Sequence, residues 1–273
     1  MHLQFAKLTG AGNDFVLIDN RDGRIGSKSR LARRLCDRRF GIGADGMLVL
    51  ERSTRAHYKM RYFNADGSSG GMCGNGGRCI ARYAILKGIA PPEHTFEALN
   101  YVYRALQTPR GITLHMKNVP LMRLDCALRR GGKTIRYHQI DTGAPHIVVH
   151  VPQPAIRQHI EEVDVAHIGR DLRYHRAFLP AGTNVNFLEH VEGRRFRMRT
   201  YERGVEAETL ACGTGSIASA IAASVTMEIP PPIEVITQSR KRLHVDFELS
   251  GRTATDIRLT GPAILVFEGT INV

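Results

Sequence analysis

The chain has 273 residues, 42% hydrophobic and 23% charged, with a formal net charge of +12 and an isoelectric point near 9.9. This composition is ordinary for a globular protein, and no apolar run is long enough to span a bilayer, so no membrane partner is expected. His2, Gln4 and Lys7 interrupt the N-terminal apolar residues, so no export signal is expected; the odd count of five cysteines then fits free thiols in a reducing, cytoplasmic setting.

Leu3–Leu8 and Asp14–Asn20 read as strands around the turn Gly10-Ala11-Gly12-Asn13. A helix should follow, capped by Ser29, running to about Phe40 and ending at Gly41. Arg30, Arg33, Arg34, Arg38 and Arg39 crowd this segment, while Leu31, Leu35 and Cys36 fall on its other side. That is the solvated face of an amphipathic helix, and no nucleic-acid motif accompanies it, so no nucleic-acid partner is expected. A basic surface would instead draw in anionic small molecules.

Met47–Glu51 and Tyr58–Asn64 are the next expected strands, and the loop Ala65–Gly71 leads to Cys73 and a helix over Arg78–Lys87, stopped by Gly88 ahead of Pro91-Pro92. Strands are expected at Thr95–Leu99, Tyr101–Gln107 and Ile112–Lys117. The second half restarts near Val119–Pro120, with strands at Ile135–Asp141 and Ile147–Val151, a helical stretch at Ala155–Ile168, and strands at Asn184–His190 and Phe196–Tyr201. A helix over Ser216–Met227 follows Cys212 and is closed by Pro230-Pro231-Pro232. Glu234–Gln238, Leu243–Leu249, Thr255–Thr260 and Ile264–Gly269 complete the strands. Many short strands with few helices predict an α+β fold.

One phrase occurs twice. Met72-Cys73-Gly74-Asn75-Gly76-Gly77 and Ala211-Cys212-Gly213-Thr214-Gly215 each open a helix, and their separation is close to half the chain. Two related halves, each presenting a thiol at a helix start, predict a pseudo-twofold protein with opposed cysteines. Unpaired backbone N–H groups and the helix dipole stabilise a thiolate there, and the bare glycine amides suit a carboxylate. Cys36, Cys79 and Cys126 read as inert packing. No C-x-x-C pair or accompanying His-x-x-x-His set exists, so neither a zinc site nor a dithiol oxidoreductase is expected.

At these residues the chain resembles the diaminopimelate epimerase family nearly end to end. The likeness takes in Gly12-Asn13-Asp14-Phe15, Arg39-Phe40-Gly41-Ile42-Gly43-Ala44-Asp45-Gly46 and Phe63-Asn64-Ala65-Asp66-Gly67-Ser68. It continues through Met72–Cys79, Thr142-Gly143 with Pro145-His146, Asn184-Val185-Asn186-Phe187, Tyr201-Glu202-Arg203-Gly204 and Glu208–Gly215. The resemblance implies two domains, each a curved, mostly antiparallel sheet around a central helix: 1–117 with 262–273 carrying Cys73, and 118–261 carrying Cys212. It also implies an active site in the cleft between them, a homodimer with Phe267 at the contact, and an epimerase needing no pyridoxal phosphate, metal or other cofactor. The substrate would be a diamino dicarboxylic acid: L,L- and meso-2,6-diaminopimelate, in lysine and peptidoglycan precursor biosynthesis.

By the same resemblance Cys73 is the proton donor and Cys212 the acceptor, with His146 and Glu202 tuning the thiols. Asn13, Asn64, Gly74, Asn75, Asn184, Glu202, Arg203, Gly213 and Thr214 become substrate contacts, Arg203 forking onto the distal carboxylate. The chain departs from the family at Gly46, where Gln is frequent, and at Ala144, where Asn is frequent. It also has an extra residue within Gly204–Thr209, and Asn100-Tyr101 where an Asp-Gly turn is common. The rival readings are a cofactor-independent racemase acting on histidine or hydroxyproline, which should lack an Arg203-type clamp, and a non-catalytic binding protein, which would need neither thiol.

Overall fold

A computed structural model describes residues 2–119, 122–251 and 253–273. Pro120, at the expected start of the second half, lies outside the described residues. The chain divides into two compact units, Met1–His115 with Thr260–Val273, and Met116–Leu259.

In the first unit β1 (His2–Gly10) and β2 (Asn13–Asp19) form a hairpin. Its loop residues Ala11 and Gly12 have φ of 60° and 96°, the mirror-image turn whose twist suits antiparallel strands. Then comes α1 (Lys28–Cys36), shorter than expected. Asp37 leaves helical space at φ −58°, ψ 124°, and its carboxylate accepts the Arg39 and Phe40 amides at 2.7 and 2.8 Å, so the segment to Phe40 is a turn. The cap is also corrected: Ser27 precedes the helix, while the Ser29 hydroxyl donates to Gly67 O at 2.7 Å. The amphipathic split stands, with Arg30, Arg33 and Arg34 exposed and Leu35 and Cys36 buried.

β3 (Gly46–Glu51), β4 (Tyr58–Asn64), α2 (Gly74–Leu86), β5 (Glu93–Ala98), β6 (Tyr101–Thr108) and β7 (Gly111–His115) complete the run. From β1 to β6 the pairings alternate antiparallel, parallel, antiparallel, parallel, antiparallel, and β7 adds a further antiparallel partner. The sheet encloses α2, which touches β1, β2, β3, β4, β6 and β7. That helix starts four residues before Arg78 because its glycines serve close packing. A Cβ on Gly76 would sit 3.0 Å from Leu48 Cδ2, and one on Gly77 2.9 Å from Leu114 Cδ1.

The second unit opens with β8 (Met122–Arg130), which has no sequence expectation behind it. Asp125, at φ 53°, breaks its register against β9 (Lys133–Asp141) between Arg123 and Cys126, so the apolar alternation that marks a strand is interrupted. β10 (Pro145–His150) follows. The helix expected over Ala155–Ile168 is instead a 3-10 turn at Ile160–Glu162 and then α3 (Val165–Arg173). Asp164 caps α3 by accepting the His167 amide at 3.0 Å, which sets the later start. β11 (Asn184–Glu192), β12 (Arg195–Glu202), the short β13 (Ala207–Thr209), α4 (Gly213–Thr226), β14 (Ile233–Ile236), β15 (Arg242–Ser250) and β16 (Thr253–Gly261) follow.

Here β9, β10, β11, β12, β14 and β15 repeat the pairing sequence of β1 to β6, step for step. The enclosed helix is α4, whose Ile217, Ala218, Ala220, Ile221, Ala222 and Ala223 are all buried. A helix apolar all round needs a sheet on every side, and α4 touches β9, β10, β11, β12, β14 and β15. The last strand, β17 (Ile264–Asn272), pairs antiparallel with β1 and so belongs to the first unit. The fold is α+β with a repeated domain, and the chain passes from one compact unit to the other after His115 and returns after Leu259.

Candidate active site

Each enclosed helix is capped by the cysteine before it. Cys73 has φ −101°, ψ 114°, and its Sγ accepts the Gly76 N–H at 3.4 Å. Cys212 has φ −119°, ψ 112°, and its Sγ accepts the Gly215 N–H at 3.4 Å. Sulfur thus occupies the place of a serine oxygen at an N-cap, where the helix dipole favours an anion. All five cysteines are free thiols, but Cys36, Cys79 and Cys126 cap no helix, and burial pushes Cys36 up to about 12 and Cys79 well above the thiol range.

In the first unit the expected residues gather where β2 begins, β4 ends and α2 starts. The Asn13 Oδ1 accepts from Asn75 Nδ2 at 3.3 Å and from the Cys73 thiol at 3.8 Å, while its Nδ2 donates to Asp45 Oδ2 at 2.7 Å. Asn75 Oδ1 in turn accepts from Arg78 Nη2 at 2.6 Å. Each amide is therefore held in one orientation by its neighbours. Asp45 is anchored by Arg38, which also bonds Asp14, and Lys7 reaches Asp14 at 2.7 Å. Burial pushes the Asp14 carboxyl up, but the bonds from Arg38 and Lys7 outweigh it and bring it down to about 2. Asn64 ends β4 with its Nδ2 on Ser68 Oγ at 2.9 Å, and Gly74 is the buried first residue of α2.

In the second unit a chain of hydrogen bonds leads to Cys212. The Asn186 Nδ2 lies 2.9 Å from Ile147 O and 3.1 Å from His146 Nδ1, and Thr200 Oγ1 donates to Asn186 Oδ1 at 3.0 Å. An amide nitrogen only donates, so His146 Nδ1 accepts and the ring proton sits on Nε2. That Nε2–H points at Thr214 Oγ1, 3.0 Å away, which leaves the threonine hydroxyl proton for Cys212 Sγ at 3.5 Å. Burial, then the Arg203 charge, push His146 down to about 3, so the ring stays neutral. Gly215 is glycine because a Cβ there would run into the Asn186 amide. Gly213 is the buried first residue of α4.

Asn186 is the element that sequence reasoning missed. Its signals are its place in the motif Asn184-Val185-Asn186-Phe187 and its polar side chain among the apolar Val185, Phe187 and Leu188. Asn184, at the head of β11, donates to Pro145 O at 2.9 Å and accepts the Arg203 amide at 2.8 Å. The Arg203 guanidinium reaches Ala181 O at 3.1 Å, and Glu202 accepts from Thr209 Oγ1 at 2.9 Å. Glu206, in the segment with the extra residue, has φ 58° and is fastened to Arg173 at 2.9 Å.

Residues 5–100 and 139–264 match the family described as Diaminopimelate epimerase. The chain belongs to the diaminopimelate epimerase family. The diaminopimelate epimerase of Chlorobaculum tepidum is 41% identical over 271 residues, covering 97% of this chain and 99% of that protein. The Hydrogenobaculum diaminopimelate epimerase is 37% identical, covering 97% of each. In fold, the chain is similar to a phenazine biosynthesis protein of the PhzF family from Bacillus anthracis, at 15% identity, TM-score 0.74 and full coverage of both chains. It is likewise similar to a hydroxyproline epimerase from Agrobacterium vitis, at 15% identity, TM-score 0.71 and coverage of 99% and 92%.

One departure from the family pattern has a packing cause. Gly46 pairs with Phe15 and Asn64, and a Cβ there would lie 2.5 Å from Tyr62 Cε2 and 2.7 Å from Phe63 O. Gly70 lies against the same ring, which meets Phe15 edge-on with centroids 6.0 Å apart. Tyr62 therefore fills the space that a glutamine at 46 would need. Gly46→Gln should cost about 1–3 kcal/mol of stability by overpacking, and Tyr62→Ala in the same chain should return part of it. Urea titrations of the single and double variants measure this, and strict additivity would mean the positions do not share space.

Proposed function

We propose that this epimerase interconverts L,L- and meso-2,6-diaminopimelate by two-base proton transfer, with Cys73 and Cys212 as the acid–base pair and no cofactor. The observation that carries the reading is the matched pair of sulfur-capped helices, one in each unit. A thiolate at one cap removes the α-proton from one face of the carbon, and the thiol at the other delivers a proton to the opposite face. The α C–H is a very weak acid, so the carbanion needs preorganised donors on its carboxylate. Glycine-lined helix starts supply such N–H groups.

Cys73 acts as donor and Cys212 as acceptor in one direction, and the roles exchange in the other. Asn13, Asn64, Gly74, Asn75, Asn184, Glu202, Arg203, Gly213 and Thr214 hold the substrate, and His146 and Glu202 tune the thiols. The reaction places the chain in lysine and peptidoglycan precursor synthesis, in the cytoplasm. A homodimer through β17 is part of the proposal, since Ile264, Val266 and Phe267 expose about half of their surface there.

Incubation with L,L-diaminopimelate in deuterated water tests the chemistry. The meso product should carry one α-deuterium per inversion while unreacted substrate stays unlabelled early in the reaction. Meso product formed without α-deuterium would refute two-base transfer. Turnover of histidine or hydroxyproline, with diaminopimelate inert, would transfer the same chemistry to another substrate.

A further inference from the structure

Position 78 is where the two repeats differ most in chemistry. Five residues after Cys73, α2 carries Arg78; five after Cys212, α4 carries Ile217. Both side chains are buried, at 0% and 1% exposure. The fold is thus satisfied by an aliphatic residue at this place. A guanidinium there is costly, because a buried charge loses its hydration and sits near the positive end of a helix dipole.

Its surroundings do little to offset that cost. Arg78 Nη2 donates to Asn75 Oδ1, while Nε and Nη1 have no hydrogen-bond partner. Among the described residues no carboxylate pairs with it. The ionisable groups acting on it are the thiols of Cys79 and Cys73, and burial keeps Cys79 protonated. The charged groups on the elements packed against α2 are engaged elsewhere. Lys7 on β1, Asp14 on β2 and Asp45 ahead of β3 form their own network with Arg38, and Glu268 on β17 pairs with Lys87 at the far end of the helix. Arg82 faces Gln107 on β6.

The second unit solves the equivalent problem differently. There the residue two after the cysteine, Thr214, is held by His146 from β10; in the first unit the strand position matching His146 is Phe15, and Asn75 is held by Arg78 instead. We propose that Arg78 is the first unit's counterpart of His146: a positioning residue that fixes the Asn75 amide and sets a buried positive charge behind the Asn75–Asn13 hydrogen bonds that reach the Cys73 sulfur. The second unit reaches Cys212 through neutral donors; the first uses a cation. This rests on the two-base reading for its purpose, but its test does not.

The test is the pH dependence of Cys73 alkylation by iodoacetamide, read on the Cys73 peptide by mass spectrometry in the intact protein. In Arg78→Ile, the residue of the sister repeat, the midpoint should rise by at least one unit, so that alkylation at pH 7 slows roughly tenfold. Arg78→Lys should restore most of the wild-type profile, and kcat/KM should follow the alkylation profile while the Tm of Arg78→Ile does not fall. A variant profile that overlays wild type overturns the proposal, whatever its activity; so does a rise in KM alone, which would assign Arg78 to the substrate carboxylate. Should Arg78→Ile fail to fold, wild type decides. Its Cys73 midpoint must lie below that of an ordinary thiol, about 8.5, and a midpoint at or above that value overturns the assignment. A shifted profile in a protein that leaves diaminopimelate unchanged would sink the proposed function and leave the role of Arg78 intact.

Discussion

Cys73→Ala and Cys212→Ala are each expected to lower kcat/KM for diaminopimelate by roughly 10⁴-fold or more, the upper end of what a general acid or base contributes. That factor corresponds to about 5.5 kcal/mol in the barrier. The loss is that large because no second group is proposed to move the α-proton on the same face. The fold should persist, since the sulfur contributes one long N-cap hydrogen bond of 3.4 Å at each helix. Losing a cap costs about 1 kcal/mol. Cys→Ser separates the two roles: a hydroxyl keeps the cap, yet its proton is far too weakly acidic for it to serve as base at neutral pH. The serine variants should therefore match wild type in Tm and alanine in activity. Racemisation assays beside thermal melts check this, and either single variant working at near wild-type rate removes the acid–base assignment.

Much of this arrangement was legible in the chain because it rests on local signals. Strands β3 and β4 follow the apolar runs closely, and the Cys-Gly-X-Gly phrases mark both helix starts. Where the reading failed, the deciding contact was distant in sequence. The glycines after Cys73 and Cys212 look like loop residues, but Leu48 and Leu114 pack closely on Gly76 and Gly77, and the Asn186 amide on Gly215, within the first turns of the two helices. Asp37 ends α1 early through two backbone bonds that a helical pattern does not reveal. Arg78, expected only as the start of a helix, is fully enclosed, because the sheet that covers it comes from strands on both sides of the motif. The Asn186–His146–Thr214 chain joins three elements, β11, β10 and α4, so no spacing rule finds it.

The two units should also part company in acid, with the second opening first. His146 is pushed down to about 3 by burial and the Arg203 charge, and His150 to about 4 by burial and the charges of His138 and His190. Both belong to Met116–Leu259. A histidine whose folded pKa lies below its unfolded value of 6.5 is protonated first in the unfolded chain. Its stabilising neutrality is whole above pH 6.5 and is lost as pH falls toward 4 and 3. The slope is about 1.4 kcal/mol per pH unit per group, so the pair removes roughly 5 kcal/mol between pH 6.5 and 4.5, comparable with the whole stability of a domain. The buried Nε2 of His150 has no partner to receive its proton's charge. His138 acts in the same sense, and the exposed His159, raised by its Glu189 contact, in the opposite one. In the first unit His94 is lowered by burial, but the strongly shifted carboxyl, Asp14, keeps its full contribution down to its unfolded value of 3.8 and loses it only as pH falls from there toward about 2. Hydrogen exchange followed by mass spectrometry from pH 7 to 4 should show β10 and β11 losing protection while β2 and β3 keep theirs. His146→Phe, which copies Phe15 of the first unit, should move that opening to lower pH while slowing catalysis through the loss of its hold on Thr214. If the first unit opens first, or if His146→Phe leaves the acid midpoint unchanged, buried neutral histidine is not what limits this fold in acid.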